Sequence, residues 1–213
     1  MSRGARLRRL GPCVLVLGLS AGLPQSAAAA ASLSIPAAVT DTGVQPGGIA
    51  PEAAGIVLQG PAGIKLSELR GKVAVVDFWA SWCAPCQQSI PDLNAMRDSL
   101  VKEGYGDRFE VLGVSLDQDA ELARRFLKRY PVNYPVVDDV IGISTKLFGV
   151  WRLPATFLID QKGAVQFIWY GYGAGFTTDL KNRIVVLLAS PESGGLLAAP
   201  ERGGFKLLHK PAQ

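Results

Sequence analysis

From Val73 to Trp79 the chain reads Val-Ala-Val-Val-Asp-Phe-Trp, apolar at every position but one. On a strand, Val73, Val75, Asp77 and Trp79 face one side, and Ala74, Val76 and Phe78 the other. Apolar residues on both faces predict a central strand covered above and below, as in a parallel or mixed α/β sheet. Asp77 breaks the pattern, and a carboxylate in such a strand is costly to bury, so it needs a reason. The stretch ends in Cys83-Ala84-Pro85-Cys86. Pro85 has the fixed φ and missing N–H that suit a first helical turn. Ile90, Leu93, Met96 and Leu100 follow at intervals of three, three and four, the stripe of an amphipathic helix. Pro91 inside that stripe predicts a kink.

The flanking pattern supplies the remaining elements. Ile56–Gln59 and Gly63–Leu66, joined through Gly60-Pro61, predict an N-terminal β-hairpin leading into a turn at Ser67–Arg70. Phe109–Leu116 reads as a second strand. Asp119–Tyr130 is an amphipathic helix with Leu122, Ala123, Phe126 and Leu127 inward, ended by Pro131. Its basic outer face reads as solvated. A short helix is expected near Ser144–Phe148. Ala155–Asp160 and Ala164–Trp169, joined by Gln161-Lys162-Gly163, form an antiparallel pair, and Thr177–Leu188 a closing helix.

The first 31 residues have a different character. Arg3, Arg6, Arg8 and Arg9 precede an apolar segment from Cys13 to Leu23, and Ala27–Ala31 offers A-x-A cleavage positions. This is the layout of a secretory signal peptide, and the apolar segment is short for a membrane span. An uncleaved anchor is the alternative. Residues 32–54, rich in Ala, Pro, Gly and Thr, are expected to be a flexible linker. Residues 55–189 form one domain, and 190–213 a mobile tail. The leader alters the charge picture. Four of the 22 basic residues and none of the 18 acidic ones lie in it, so the rest of the chain is balanced. The net charge of +4 is therefore no sign of a nucleic-acid partner. Cys13 leaves with the leader as well, and an exported chain with an even pair of cysteines is expected to carry a disulfide.

Several chemistries use two cysteines at this spacing. A purely structural disulfide closing so short a loop contributes about 2 kcal/mol, against about 3 for a 15-residue loop. A zinc site needs two more ligands, and the sequence has neither a second C-x-x-C nor a nearby His. Copper capture wants a third soft or imidazole ligand, and the single His is His209 in the tail. A peroxidase centre of the P-x-x-x-T-x-x-C kind fails, because the residues three and seven before Cys83 are Ala80 and Val76. Redox exchange fits. Cys83 at a helix N-terminus meets unpaired N–H groups and a favourable dipole, which promote the thiolate. Cys86, one turn further in, is the resolving thiol.

Val76-Asp77-Phe78-Trp79-Ala80-x-Trp82-Cys83-x-Pro85-Cys86 resembles the active-site segment of thioredoxin. Pro91 matches that family's helix-kinking proline, and Leu153-Pro154-Ala155-Thr156-Phe157-Leu158-Ile159-Asp160 its cis-proline strand. Over roughly Pro51 to Ala189, with the leader and the extra segments, the chain is similar to the TlpA-like exported thiol-disulfide oxidoreductases. Tyr134-Pro-Val-Val resembles that group's inserted short strand. The resemblance implies a thioredoxin-like α/β fold, a central mixed sheet flanked by helices, with the N-terminal hairpin and a family-type insertion.

It also implies roles. Cys83 and Cys86 are the catalytic dithiol, Asp77 a buried proton relay beneath Cys86, and Pro154 a cis proline packed against the cysteines. Leu153 supplies backbone groups to a substrate strand, and Trp82, Ala84 and Trp151 an apolar rim. No cofactor is required. The implied partners are disulfide-containing client proteins and a membrane thiol relay as electron donor, in the periplasm or another extracytoplasmic space. Many cytochrome-maturation members carry Glu three residues after the second cysteine, where this chain has Ser89. Cytochrome c or oxidase copper-site maturation is the setting to test.

Ala84-Pro85 places no charge or side-chain donor between the cysteines. The expected Cys83 pKa is therefore ~7 and the potential near about −270 mV, that of a reductase, rather than the roughly −120 mV of strong oxidants. A dithiol oxidase of the same fold and a copper-handling protein using the same cysteines are the alternatives.

Overall fold

The computed structural model describes residues 43–189. The expected leader (1–31), the first part of the expected linker and the expected tail (190–213) lie outside the described residues.

Among the described residues six strands form one mixed sheet in the order β1-β4-β3-β2-β5-β6. They are β1 (Ile56–Gln59), β2 (Val73–Trp79), β3 (Phe109–Ser115), β4 (Val136–Asp138), β5 (Ala155–Ile159) and β6 (Val165–Tyr170). β2 runs parallel to β3 and antiparallel to β5; β3 and β4 are parallel, and the edge pairs β1–β4 and β5–β6 antiparallel. All seven residues of β2 are buried, as its two-sided apolar pattern requires.

Among the described residues four helices complete the architecture: α1 (Ala84–Leu100), α2 (Ala120–Arg129), α3 (Ile143–Phe148) and α4 (Phe176–Ala189). α1 carries Pro91 inside it and runs on into a π turn, Val101–Tyr105. α1, α2 and α4 bury Leu93, Phe126 and Ile184 against the sheet face of Val75 and Trp79. The other face, with Val76 and Phe78, is covered by α3 through Phe148 and by a 3-10 turn at Leu66–Leu69. Among the described residues no helix is long and apolar enough to cross a membrane.

Three expectations need correcting. Leu122, expected to face inward on α2, is exposed, and the helix buries Ala123 and Phe126 instead. The N-terminal hairpin does not form. Ile56–Gln59 instead joins the sheet edge, with Ile56 opposite Asp138, and Gly63–Leu66 is not a strand. Gly60 at φ 106° turns the chain over Pro135, and Leu66 and Leu69 gain more by entering the core from the 3-10 turn. Nor is the described part of the expected linker, residues 43–54, loose. Ala50 and Ala53 are buried in the second core, Ile49 bridges to Ala164, and the Gly47 N–H donates to the Val165 carbonyl at 2.7 Å. Small residues there give no periodic signal, yet they allow the close packing that holds this segment on the sheet.

Candidate active site

The site grows from the end of β2. Beyond Trp79 the chain leaves the sheet, and Cys83 becomes the N-cap of α1 in an extended conformation (φ −85°, ψ 101°). Its Sγ accepts the Cys86 N–H at 3.2 Å, and its carbonyl accepts from Cys86 and Gln87. An orphan N–H of the first helical turn is thus aimed at the sulfur, the arrangement that favours a thiolate. Cys83 and Cys86 are joined in a disulfide. Cys83 is 5% exposed and Cys86 fully buried, so an incoming group meets Cys83 first. Ser89, a turn beyond, is buried and donates to the Cys86 carbonyl at 3.3 Å.

The loop ahead of Cys83 is held from β3. Asp117 accepts the Ser81 N–H at 3.0 Å and the Ser81 hydroxyl at 2.7 Å, and it takes the Ser115 hydroxyl at 3.2 Å. Trp82 therefore leaves an anchored residue and projects outward, 68% exposed. Across from it stands Trp151, 72% exposed and packed against Tyr170, the rings tilted by 41° with centroids 4.9 Å apart. The Leu153–Pro154 peptide is cis, and Pro154 is buried while Leu153 is half-buried. A groove of about 470 Å³ runs between them, lined by Trp82, Cys83, Ala84, Leu116, Trp151 and Leu153 among others. A second hollow of about 530 Å³, on the other side of Ala84-Pro85, is bordered by Asp92 and Tyr172. The structure thus gathers the sequence-predicted Trp82, Cys83, Ala84, Trp151 and Leu153 around one groove.

Asp77 lies in the core, on the face that carries Trp79 and the packed side of α1. It is fully buried, and Thr156, its direct partner across β2–β5, donates a 2.7 Å hydrogen bond to Oδ1. Oδ2 has no hydrogen-bond partner. Burial pushes the Asp77 carboxyl up from 3.8 to about 7, against the Thr156 hydrogen bond, which lowers it. On the β3 side its partner is Gly113. A Cβ there would lie 3.2 Å from the Tyr134 ring and 3.3 Å from Trp79 Nε1, so the missing side chain makes room for both rings. The Tyr134 hydroxyl is buried without a partner, and burial, with the Asp77 charge, holds its pKa well above the usual value.

Thr156, Tyr134, Gly113 and Asp117 were not singled out from the sequence. Thr156 carried a signal, a polar residue in an otherwise apolar strand, which pairs naturally with the one polar residue of β2. The other three become meaningful only through register and packing. Among the described residues no group of three or more His, Cys, Asp or Glu side chains is placed to hold a metal ion.

The model of the AhpC/TSA family matches residues 46–168. The chain is 32% identical over 134 residues to thioredoxin-like protein YneN of Bacillus subtilis (strain 168), covering 62% of this chain and 75% of that protein. It is 33% identical over 107 residues to thiol-disulfide oxidoreductase ResA of Geobacillus thermodenitrificans, covering 50% of this chain and 59% of ResA. Among solved structures, a putative thiol:disulfide interchange protein DsbE from Chlorobium tepidum superposes with a TM-score of 0.61 at 35% identity, over 68% of this chain and 99% of that one. With its thioredoxin-like sheet and a Cys83–Cys86 disulfide at the head of α1, the chain belongs to the AhpC/TSA family and is a thiol-disulfide oxidoreductase of the thioredoxin superfamily.

Proposed function

We propose that the protein is a reductase of protein disulfides that works outside the cytoplasm. The observation that carries the reading is the graded access of the pair: Cys83 at the groove, Cys86 buried behind it, and a carboxyl poised near neutrality on the sheet face beneath the helix. The Cys83 thiolate attacks a client disulfide, forming a mixed disulfide and releasing one client sulfur as thiolate. Cys86 passes its proton to Asp77 and attacks the Cys83 sulfur, releasing the second client thiolate. Two electrons have then moved to the client, and the protein is left as the Cys83–Cys86 disulfide. A membrane thiol relay returns it to the dithiol by the same exchange chemistry.

Client binding falls to the groove. The Leu153 backbone beside Pro154 pairs with an extended client segment, and Trp82, Ala84 and Trp151 cover the residues next to its cysteine. Exported clients such as apocytochromes c or the copper-site cysteines of oxidase assembly factors suit such a reductase. Residues 1–31 serve as its signal peptide and 190–213 as a tail, and the redox domain of 55–189 is extended at its start by the packed segment 43–54.

Redox direction is the deciding measurement. Equilibration of the dithiol against glutathione and dithiothreitol buffers is expected to give a potential near about −270 mV. A value above about −150 mV makes the protein a dithiol oxidase. Stoichiometric Cu(I) binding, with metal rather than disulfide passing to the client, makes it a copper carrier.

A further inference from the structure

Asp77 is held unevenly. Its Oδ1 receives the Thr156 hydroxyl at 2.7 Å, while Oδ2 is buried and bare. The donor comes from β5, two residues beyond Pro154, so it lies on the strand that begins at the client groove. Thr156 is itself buried, and the β2–β5 register sets it directly opposite Asp77. A hydroxyl that donates to one carboxylate oxygen keeps a proton pointed at that oxygen in both ionisation states, so an incoming proton is directed to the other.

We propose that Thr156 is a positioning residue for the exchange reaction: its hydroxyl pins Asp77 Oδ1, leaves Oδ2 as the oxygen that takes the Cys86 proton, and keeps Asp77 ionised enough to act. The inference rests on the reading of Asp77 as the proton acceptor for Cys86. Among the described residues, Thr156 supplies the side-chain hydrogen bond to this carboxyl. Gly113, the β3 partner, has no side chain; the buried titratable groups on this face are Cys83 and Cys86 from α1 and Tyr134 from the segment before β4, with Tyr105, Tyr130 and Tyr172 packed at its margin. Of the charged groups on the helices packed over it, Arg97 pairs with Glu110, Arg183 with Asp179, Lys181 with Glu103 and Arg124 with Glu121, while Arg125 and Lys128 lie on the outer side of α2. Asp77 is thus governed by burial and by one hydroxyl.

The experiment follows resolution of a Cys83–glutathione mixed disulfide on the whole protein from about pH 5 to about pH 9, alongside a carbon-13 titration of labelled Asp77. The hydrogen bond favours the charged carboxylate, so losing it raises the Asp77 midpoint and depletes the base at neutral pH. Thr156→Val is expected to move both midpoints up by about one pH unit and to slow resolution at pH 7 roughly fivefold. Thr156→Ser restores both, and Thr156→Val in an Asp77→Asn background changes nothing further. Thr156→Ala serves if the valine variant does not fold. An unmoved midpoint in the valine or alanine variant, with Asp77→Asn still abolishing the pH dependence, overturns the role of Thr156 alone. If Asp77→Asn leaves the profile intact, the proton-acceptor reading fails and this inference with it.

Discussion

Asp117 accepts both the backbone N–H and the hydroxyl of Ser81, two residues ahead of Cys83. Through this pair of bonds the end of β3 fixes the loop that aims Trp82 and seats the attacking sulfur. A buried carboxylate is costly, and here three donors satisfy it.

Asp117→Ala leaves the Ser81 and Ser115 donors without their acceptor. Stability is expected to fall by about 1–3 kcal/mol in denaturant unfolding. Exchange with a protein disulfide should fall more than exchange with a small disulfide, because the small one does not use the Trp82 rim. Equal losses on both substrates would mean that the loop has no part in client binding.

The graded access of the cysteines predicts a division of labour. Cys83→Ser should abolish exchange and form no adduct. Cys86→Ser should attack and then stall, accumulating a mixed disulfide visible by mass spectrometry under non-reducing conditions. An adduct mapped to Cys86 in the Cys83→Ser variant would reverse the assignment.

Asp77 predicts opposite effects on stability and on rate. Its folded carboxyl titrates near about 7, above the unfolded value of 3.8, so the folded state binds the extra proton between these limits. The folded protein therefore loses stability as pH rises from about 4 to about 7 and is level beyond. Asp77→Asn should be more stable than the parent at pH 8, by at most about 4 kcal/mol on the linkage scale, with the difference vanishing below about pH 4. The same variant should resolve mixed disulfides more slowly near neutral pH. Thermal unfolding across this range measures the first effect. A variant less stable than the parent at pH 8 would show that the charge is compensated in the fold.

Gly113 predicts an overpacking effect. The added Cβ of Gly113→Ala would meet the Tyr134 ring at 3.2 Å, with Trp79 Nε1 and Val136 Cγ2 each at 3.3 Å. All three neighbours are buried, so stability should drop by about 1–3 kcal/mol. Chemical denaturation reads the loss, and a neutral substitution would mean that the Tyr134 ring can shift away.

The helix that presents the dithiol, the two-sided burial of β2 and the β5–β6 pair announce themselves in the order of residues, whereas the groove residues Trp82, Ala84, Trp151 and Leu153 are implied by the family resemblance alone. The first three depend on local rules: alternation on a strand, three- and four-residue spacing on a helix, and a proline that suits a first turn. Gly60-Pro61 between two apolar runs suggested a hairpin by the same rules. There the local reading lost, because Ile56–Gln59 pairs with Val136–Asp138 far along the chain and Leu66 and Leu69 are worth more inside the core. Ala50 and Ala53 looked like linker for a related reason, since burial of small side chains leaves no pattern in sequence. The surroundings of Asp77 belong wholly to the tertiary structure. The sequence marks the carboxylate as anomalous, but only the β2–β5 and β2–β3 registers put Thr156 on one side of it and the empty place of Gly113 on the other. The state of that carboxyl is set by burial and by a single hydroxyl, and both are made by contacts between residues distant in the chain.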